Sequence, residues 1–265
     1  MLKELTEITS FVGINFSTDP LYAKIENTVV IAKHIDNPQG HYALFNECMG
    51  YALAKKMKIP TPEFGCAIFV AGKTINYIAS EYRINHNDLF TYTVMENSVV
   101  PIESPMLTMS IGEKEIVKLI IFDVIITNLD RNKGNLLIKM PKKGEEPRLF
   151  PIDYTHIFPG QCIWFDVLKR PFPSTKKIVE QIFEHGGHQN LIENRNFDAM
   201  LIDEVAHEFK VKLQGIDISS IIESVPQILL SRFEKNDIEN LKKYLIRNIE
   251  EYDDIIKEIK QYLVR

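Results

Sequence analysis

Short apolar runs alternate with turns along the first 35 residues of the chain. Because runs rich in β-branched and aromatic residues favour strands, they predict an antiparallel meander with strands at residues 8–16, 21–25 and 28–35. Two further runs, at residues 64–70 and 74–80, flank Ala71-Gly72-Lys73 and predict a hairpin. The first third of the chain is therefore expected to form a small antiparallel sheet.

Apolar side chains recur at helical spacing in residues 41–58, and this pattern ends at Ile59-Pro60. A strongly apolar run at residues 116–126 predicts a buried helix, and Asn128 is a suitable place for it to stop. From residue 196 the pattern is helical to the end. It is clearest over residues 237–265, whose apolar stripe is expected to close a core rather than to bind a partner.

The polar stretch at residues 81–88 ends the predicted sheet and suggests a boundary between two lobes. We expect residues 1–82 to form a small lobe of one sheet and one helix, and residues 83–265 to form a larger, mainly helical lobe. A short helix is expected to begin at residues 88–90, and residues 101–109 are expected to be loop. The fold class is thus α+β, with a cleft between the lobes.

Length and composition fit this picture. A chain of 265 residues with 45% hydrophobic residues can bury a sizeable core. The net charge of −5 argues against a general nucleic-acid binder. Three widely spaced cysteines suggest neither a disulfide framework nor a metal site, and they favour a reducing cytoplasm. The first residues do not resemble a signal peptide, and no apolar run is long enough to span a membrane.

The most informative stretch runs from Asn128 to Ile138 and is followed by an apolar run that ends at Asp153. An acid and an amide five residues apart, with a second acid further on, is an arrangement that phosphoryl transfer can use. Asp130 would be the base, and Asn135 and Asp153 would bind the metal. A hairpin over residues 135–152 would bring these two ligands together, since paired strands lie ~5 Å apart. The alternative is an ordinary polar loop followed by a turn acid.

Two charged residues of the small lobe could complete such a site. Lys33 lies among apolar residues of a predicted strand, where an ammonium group needs an anionic partner, and is the candidate for contacting phosphates. Glu47 lies at the edge of the apolar stripe of the first helix and could pair with Lys33. The alternatives are a surface lysine and a solvated glutamate.

Other polar residues are weaker candidates. Ser17 and Thr18 lie in a turn that could cover phosphates, although an ordinary Asp-Pro turn is as good an interpretation. The connector at residues 81–83, with Glu81 and Tyr82, could present backbone groups to an adenine ring. His156 could carry a proton or simply pack on Phe158. His185 and His188 flank two glycines and are interpreted as loop residues.

The order of these parts resembles the protein-kinase-like superfamily and, more closely, the compact HipA-like kinases of bacteria. The residues that carry the resemblance are Asn46-Glu47, the segment from Ile59 to Glu63, Ser80-Glu81-Tyr82, Asn128 to Arg131, Asn135 to Leu137, and Pro151 to Phe158. The resemblance implies a bilobal kinase fold in which Lys33 holds ATP phosphates, Glu47 positions Lys33, and backbone groups near Glu81 and Tyr82 bind adenine. It also implies that Asp130 is the catalytic base and that Asn135 and Asp153 bind Mg²⁺. Two features depart from the family pattern: Asn132 replaces a frequent histidine, and the turn at residues 17–20 lacks glycines.

The expected function is an ATP- and Mg²⁺-dependent kinase that phosphorylates a hydroxyl group, with a serine or threonine of a protein as the first choice of acceptor. The alternatives are a nucleotide-binding module without turnover, a phosphoinositide or small-molecule kinase, and a helical interaction protein. The resemblance also suggests a toxin-antitoxin role, which the residues do not distinguish from a housekeeping role.

Overall fold

The structure is a computed structural model. It describes residues 2–13, 17–102, 105–141, 143 and 145–264, with residues 105 and 106 described by their backbone alone. The strands are β1 (Lys3–Glu4), β2 (Glu7–Phe11), β3 (Leu21–Ile25), β4 (Thr28–His34), β5 (Phe64–Ile68), β6 (Ile75–Asn76), β7 (Leu89–Val94), β8 (Val99–Pro101), β9 (Leu136–Lys139) and β10 (Arg148–Pro151). The helices are α1 (Gly40–Met57), α2 (Pro105–Met109), α3 (Glu113–Ile125), α4 (Trp164–Val167), α5 (Thr175–His185), α6 (Gln189–Ile192), α7 (Ala199–Gln214), α8 (Ile218–Glu223), α9 (Gln227–Leu230), α10 (Lys235–Glu250) and α11 (Tyr252–Leu263).

The first seven strands form one curled sheet, in the order β1-β5-β7-β4-β3-β2-β6. The curl follows from the first residues, which pair at both ends of the sheet: the Leu5 N–H donates to Ile68 O, and the Thr6 N–H donates to Lys24 O. The antiparallel meander of β2, β3 and β4 is as predicted. Residues 14–16, the predicted end of its first strand, lie outside the described residues.

Two expectations about the rest of this sheet are wrong. The runs at residues 64–70 and 74–80 do not form a hairpin, because β5 pairs with β1 and β7 whereas β6 pairs in parallel with β2 near the other end of the sheet. Residues 88–90 do not begin a helix, since they lead into β7, which lies between β4 and β5. Residues 89–92 are buried on both faces of the sheet, so the alternating pattern typical of a half-buried strand is absent there.

The position of β7 also changes the lobe boundary. A boundary after residue 82 would cut the sheet, because β7 is one of its inner strands. The sheet therefore ends at Val94, and the chain then enters a second, three-stranded sheet in the order β10-β9-β8. The predicted hairpin of β9 and β10 is confirmed.

The remainder is mainly helical, which confirms the α+β class. The predicted buried helix is α3, whose residues 116, 117 and 119–125 are all buried. Residues 101–109, expected to be loop, include α2. The C-terminal stripe is divided between α10 and α11, and its apolar side chains face the large core as expected. Among the described residues, no helix is long and apolar enough to cross a membrane.

Candidate active site

A cleft of about 690 Å³ lies between strands β4 and β7 of the first sheet and the β9–β10 hairpin. This volume falls in the range of ~300–1,000 Å³ that is usual for small-molecule sites. Seven of the candidate residues line it: Ser17, Lys33, Glu47, Asp130, Asn135, Asp153 and His156. Tertiary structure thus brings together polar residues that are up to 136 positions apart in the sequence.

Lys33 is a buried lysine that contacts two carboxylates. Its Nζ donates to Glu47 Oε1 at 2.8 Å, to Asp153 Oδ1 at 3.0 Å and to Thr155 Oγ1 at 2.8 Å. Burial by itself would lower the pKa of Lys33, but Asp153 and Glu47 outweigh it and raise that pKa above the ordinary value. Lys33 is therefore a fixed positive charge in the wall of the cleft.

Both carboxylate oxygens of Glu47 have a hydrogen-bond partner in the first sheet. Its second oxygen, Oε2, accepts a hydrogen bond from Thr91 Oγ1 on β7 at 3.2 Å. Burial raises the pKa of Glu47, because the carboxylate is almost completely removed from water, and the negative charge of Asp153 adds to this effect in spite of the nearby Lys33 charge. The solvated-glutamate alternative does not fit this environment.

The β9–β10 hairpin positions Asp153 next to Asn135. Pro151 lies opposite Leu136, and the Ile152 N–H donates to Asn135 O at 3.0 Å. Asp153 follows with a φ of 57°, in the left-handed region that aspartate tolerates better than most residues. Burial opposes its ionisation, but Lys33 and hydrogen bonds from Thr155 hold the pKa of Asp153 well below its usual range.

Asp130 is oriented by three side chains. Asn132 Nδ2 donates to Oδ1 at 3.0 Å, while Asn135 Nδ2 and His156 Nδ1 lie 3.0 and 3.1 Å from Oδ2. Burial raises its pKa, but the His156 and Asn132 contacts outweigh this effect, so the pKa of Asp130 is lowered. An ionised carboxylate at this point can accept a proton from a hydroxyl group.

A buried ion pair supports the loop that carries Asp130. Arg131 and Asp123 are both fully buried, with Arg131 Nε and Nη2 each 3.1 Å from an Asp123 oxygen. Arg131 Nη1 also donates to Asn135 O and Ile152 O, both at 2.9 Å, and so ties the loop to the hairpin. His188 Nε2 lies 2.9 Å from Asp123 Oδ2, which gives this histidine a structural contact that the loop interpretation missed.

The donor set fits a magnesium ion. Asn135 Nδ2 donates to Asp130 O at 2.6 Å and to Asp130 Oδ2, which leaves the Asn135 side-chain oxygen for another contact. The ionised carboxylate of Asp153 lines the same cleft. Carboxylate and amide oxygens are the hard ligands that Mg²⁺ prefers, so Asn135 and Asp153 are the residues that would hold it.

Three predicted nucleotide-binding residues lie elsewhere. Thr18 is buried and, unlike Ser17, does not line the cleft. Glu81 and Tyr82 are also outside it, and Tyr82 packs edge-to-face on Phe11. The reason is topological: the connector at 81–83 leads into β7, an inner strand, so the chain leaves the sheet only after Val94.

The structure adds residues that the sequence did not indicate. Met95 and Glu96, directly after β7, line the cleft where the two sheets meet. Tyr51 of α1 accepts a hydrogen bond from the Asp153 N–H at 3.1 Å through its hydroxyl. His156, which the sequence already offered as a weaker candidate, faces Asp130 rather than merely packing on Phe158. Local sequence patterns carry no signal for such contacts, because each joins segments far apart in the chain.

Comparisons with known proteins find similarity to kinases. The family model described as phosphatidylinositol 3- and 4-kinase matches residues 113–212, a stretch that contains Asp130, Asn135 and Asp153. The chain is similar in structure to the Helicobacter pylori proinflammatory kinase CtkA, with a TM-score of 0.54 and 11% identity over 99% of this chain and 98% of that one. A weaker likeness, with a TM-score of 0.44 and 10% identity over 88% of each chain, is to WaaP in complex with acyl carrier protein. No curated protein matches the sequence.

At 11% identity the likeness to CtkA concerns the fold, which is a kinase-like fold. Together with the family match, it supports a phosphotransferase. The closer resemblance to HipA-like kinases stays a prediction.

Proposed function

We propose that this protein is an ATP- and Mg²⁺-dependent kinase that transfers the γ-phosphoryl group to a hydroxyl acceptor. The observation that carries the proposal is the meeting of Lys33, Glu47 and Asp153 with Asp130 and Asn135 in one cleft. Phosphoryl transfer depends mainly on positioning and on neutralising negative charge, and these residues supply both.

Each residue has a role that follows from its contacts. Lys33, held by Glu47, would pair with phosphate oxygens and orient them. Bound Mg²⁺ would neutralise phosphate charge, with Asn135 and Asp153 as its protein ligands. Asp130 would accept the proton of the acceptor hydroxyl. Backbone groups of residues 94–96, rather than those of residues 81–83, are the better candidates for contacting adenine.

The first candidate acceptor is a serine or threonine of a protein, as the resemblance to HipA-like kinases implies. A phosphoinositide is the second candidate, because the matching family model is that of phosphatidylinositol 3- and 4-kinases. Both acceptors present a hydroxyl group, so the residues that hold ATP and accept the proton would be the same.

The test is incubation of the purified protein with γ-labelled ATP and Mg²⁺, in parallel with a bacterial extract and with vesicles that contain phosphatidylinositol. Asp130→Ala should abolish labelling while Mg²⁺-dependent ATP binding persists, and Asp153→Ala should weaken that binding. Asp254→Ala, an exposed carboxylate on α11, is the matched control. Labelled protein would identify a protein kinase, and labelled lipid a phosphoinositide kinase.

Two outcomes would contradict the proposal. Labelling by Asp130→Ala at the wild-type rate would remove Asp130 as the base. Mg²⁺-dependent ATP binding without labelling of any acceptor would instead favour a nucleotide-binding module without turnover.

A further inference from the structure

A second cavity, of about 1080 Å³, lies against the carboxyl-terminal half of α1 and is larger than the cleft. Its other walls are β5, the segment of residues 58–63 and the start of α9. We call it the α1–β5 cavity. It shares Tyr51 and Pro62 with the lining of the cleft, but none of the catalytic candidates Lys33, Asp130 and Asp153 lines it.

The lining of the α1–β5 cavity includes an apolar part around Tyr51 and Phe64, which we call its floor. Tyr51 and Phe64 stack with their ring centroids 4.5 Å apart and their planes inclined by 15°. Leu2 and Ile228 also line it and remain 39% and 40% exposed, which leaves large apolar side chains without cover. An apolar floor of this kind can bury the body of a small molecule.

The charged residues of the lining are mostly cationic. Lys55, Lys58 and Arg148 line the cavity, and no ion pair engages any of them in the part of the chain that the structure describes. Glu63 is the carboxylate in the described lining, and it lies 3.7 Å from Lys3. The positive charges of the lysines also stabilise the carboxyl-terminal end of α1 through the helix dipole. Arg148 belongs to β10 and has no such role.

A further lysine, outside the lining, lies close to the end of α1. Lys212 Nζ lies 3.4 Å from Met57 O, at the end of α1. Its pKa is lowered, first by burial and then by the positive charges of Lys118 and Lys58, which Glu208 and Glu115 partly offset. An anion bound near Lys58 would relieve this repulsion.

We propose that the α1–β5 cavity binds a small anionic ligand with an apolar body, of the aromatic carboxylate, sulfonate or phosphate class. The apolar floor would bury the body of the ligand, and Lys55, Lys58 and Arg148 would pair with its anionic group. The cavity volume is close to the upper end of the ~300–1,000 Å³ range of small-molecule sites. This binding goes beyond the proposed kinase function and does not depend on it.

Tyr51 would couple this ligand to the cleft. Its side chain lines both cavities, and its hydroxyl accepts the hydrogen bond from the Asp153 N–H. A ligand that packs on the Tyr51 ring therefore acts one side chain away from the proposed metal ligand. This coupling, unlike the binding itself, rests on the proposed function.

The probe for the binding test is 1-anilinonaphthalene-8-sulfonate, an aromatic sulfonate whose fluorescence rises in apolar sites. We expect saturable binding to the wild type that the double variant Lys55→Glu/Arg148→Glu weakens at least tenfold. Lys56→Glu is the matched control, because Lys56 is the exposed neighbour of Lys55 and lies outside the lining. Ala52→Phe, which fills the cavity without changing its charge, should also weaken binding, and circular dichroism would check that each variant is folded.

Three results would overturn the proposal: equal affinity of the wild type and the double variant, equal weakening by Lys56→Glu, or complete displacement of the probe by Mg²⁺-ATP. The last result would locate the probe in the cleft. The first two measurements do not involve ATP, so a failure of the kinase assay would leave them intact and the two proposals fail separately.

Cysteine labelling provides a second readout. Cys66 and Cys162 are both half-buried. Cys66 lines the cavity, and Cys162 lies outside the lining. The probe should slow alkylation of Cys66 by iodoacetamide and leave that of Cys162 unchanged, as measured by peptide mass spectrometry. Equal alkylation of Cys66 with and without saturating probe would contradict binding in this cavity.

The coupling has its own measurement. The factor by which the probe changes the affinity for Mg²⁺-ATP should equal the factor by which Mg²⁺-ATP changes the affinity for the probe. Tyr51→Phe should abolish the effect while the probe still binds. The same ATP affinity with and without the probe would refute the coupling and leave the site itself in place.

Discussion

The carboxylate of Asp130 is oriented by neighbouring side chains. Asn132, Asn135 and His156 together hold both carboxylate oxygens. Asn132 and Asn135 are close in the sequence, but His156 comes from the segment after the hairpin. Its contact with Asp130 therefore exists only when the hairpin is formed.

His156→Ala should lower kcat by about 10- to 100-fold with little change in KM for ATP, because a misdirected base impairs transfer more than binding. His156→Asn should restore part of the lost rate, since an amide can keep the hydrogen bond to Asp130. Steady-state kinetics with the acceptor found in the labelling experiment would measure both effects.

His185→Ala, an exposed histidine on α5, is the control and should behave as the wild type. A rise in KM for ATP without a loss of kcat would place His156 in nucleotide binding instead.

Asp123→Asn should destabilise the protein by about 3–5 kcal/mol, because it leaves the buried guanidinium of Arg131 without its charged partner. The double variant Asp123→Leu/Arg131→Met should lose less stability than Asp123→Asn, since no buried charge is left unpaired. Urea denaturation would measure the free energy of unfolding of each variant. A double variant less stable than Asp123→Asn would show that the attraction within the ion pair exceeds the free energy needed to remove both charges from water.

At the scale of elements, α1 and the segment after Asp153 pack unusually closely. A Cβ atom added at Gly50 would lie 2.3 Å from Tyr154 Cβ, well inside the contact distance. Tyr154 is fully buried and also packs edge-to-face on Tyr51. The glycine in the middle of α1 therefore allows this helix to approach the residue next to a proposed metal ligand.

Gly50→Ala should destabilise the protein by about 1–3 kcal/mol, although alanine normally stabilises a helix interior, because overpacking here displaces Tyr154. It should also weaken Mg²⁺-ATP binding through Asp153. Gly112→Ala is the control, since an added Cβ at Gly112 would meet no atom within 4 Å. Urea denaturation would measure the stability, and ATP titration would measure the binding. A Gly50→Ala protein more stable than the wild type would show that the Tyr154 side chain can move aside without loss of stability.

Elements differ in how far the sequence predicts them. The β9–β10 hairpin and α3 are predicted by local patterns, because one has a polar turn between short apolar runs and the other has a long apolar run. No local pattern predicts β7, because its burial on both faces of the sheet removes the alternation of apolar and polar residues. The lobe boundary depended on β7 and was misplaced for the same reason.

At the scale of the whole molecule, the apolar residues that the structure describes form two cores. The smaller core lies within the first sheet and includes Ile8 and Phe90. The larger core joins the helical part to α1, whose Leu44, Phe45 and Met49 belong to it. The helix that carries Glu47 is thus packed on the helical part, while Lys33 belongs to the sheet, and their ion pair bridges the two.

The free energy of unfolding should fall as the pH drops below about 4. Asp123, Asp130 and Asp153 have pKa values below the ordinary ~3.9 of aspartate, so the unfolded chain binds protons before the folded one does. The contribution of these aspartates to stability is fully present above their pKa in the unfolded chain. It is lost as the pH falls through their pKa values in the folded protein. Glu47 acts in the opposite sense, because its raised pKa favours the folded state at low pH.

Urea denaturation between pH 3 and pH 7 would measure this dependence, and Asp153→Asn should make it less steep. Unchanged wild-type stability from pH 7 down to pH 3 would contradict the proposed ionisation of the three aspartates.

The sequence by itself determined the meander, the β9–β10 hairpin, the buried helix and the residue types of the candidate site, because each follows from local periodicity, turn chemistry or a charge among apolar residues. Tertiary structure decided which of these residues meet. It joined Lys33 to Asp153, turned His156 toward Asp130, left Glu81 and Tyr82 outside the cleft, and formed the α1–β5 cavity. Such contacts depend on strand order and on the packing of distant segments, and a local pattern carries no information about either.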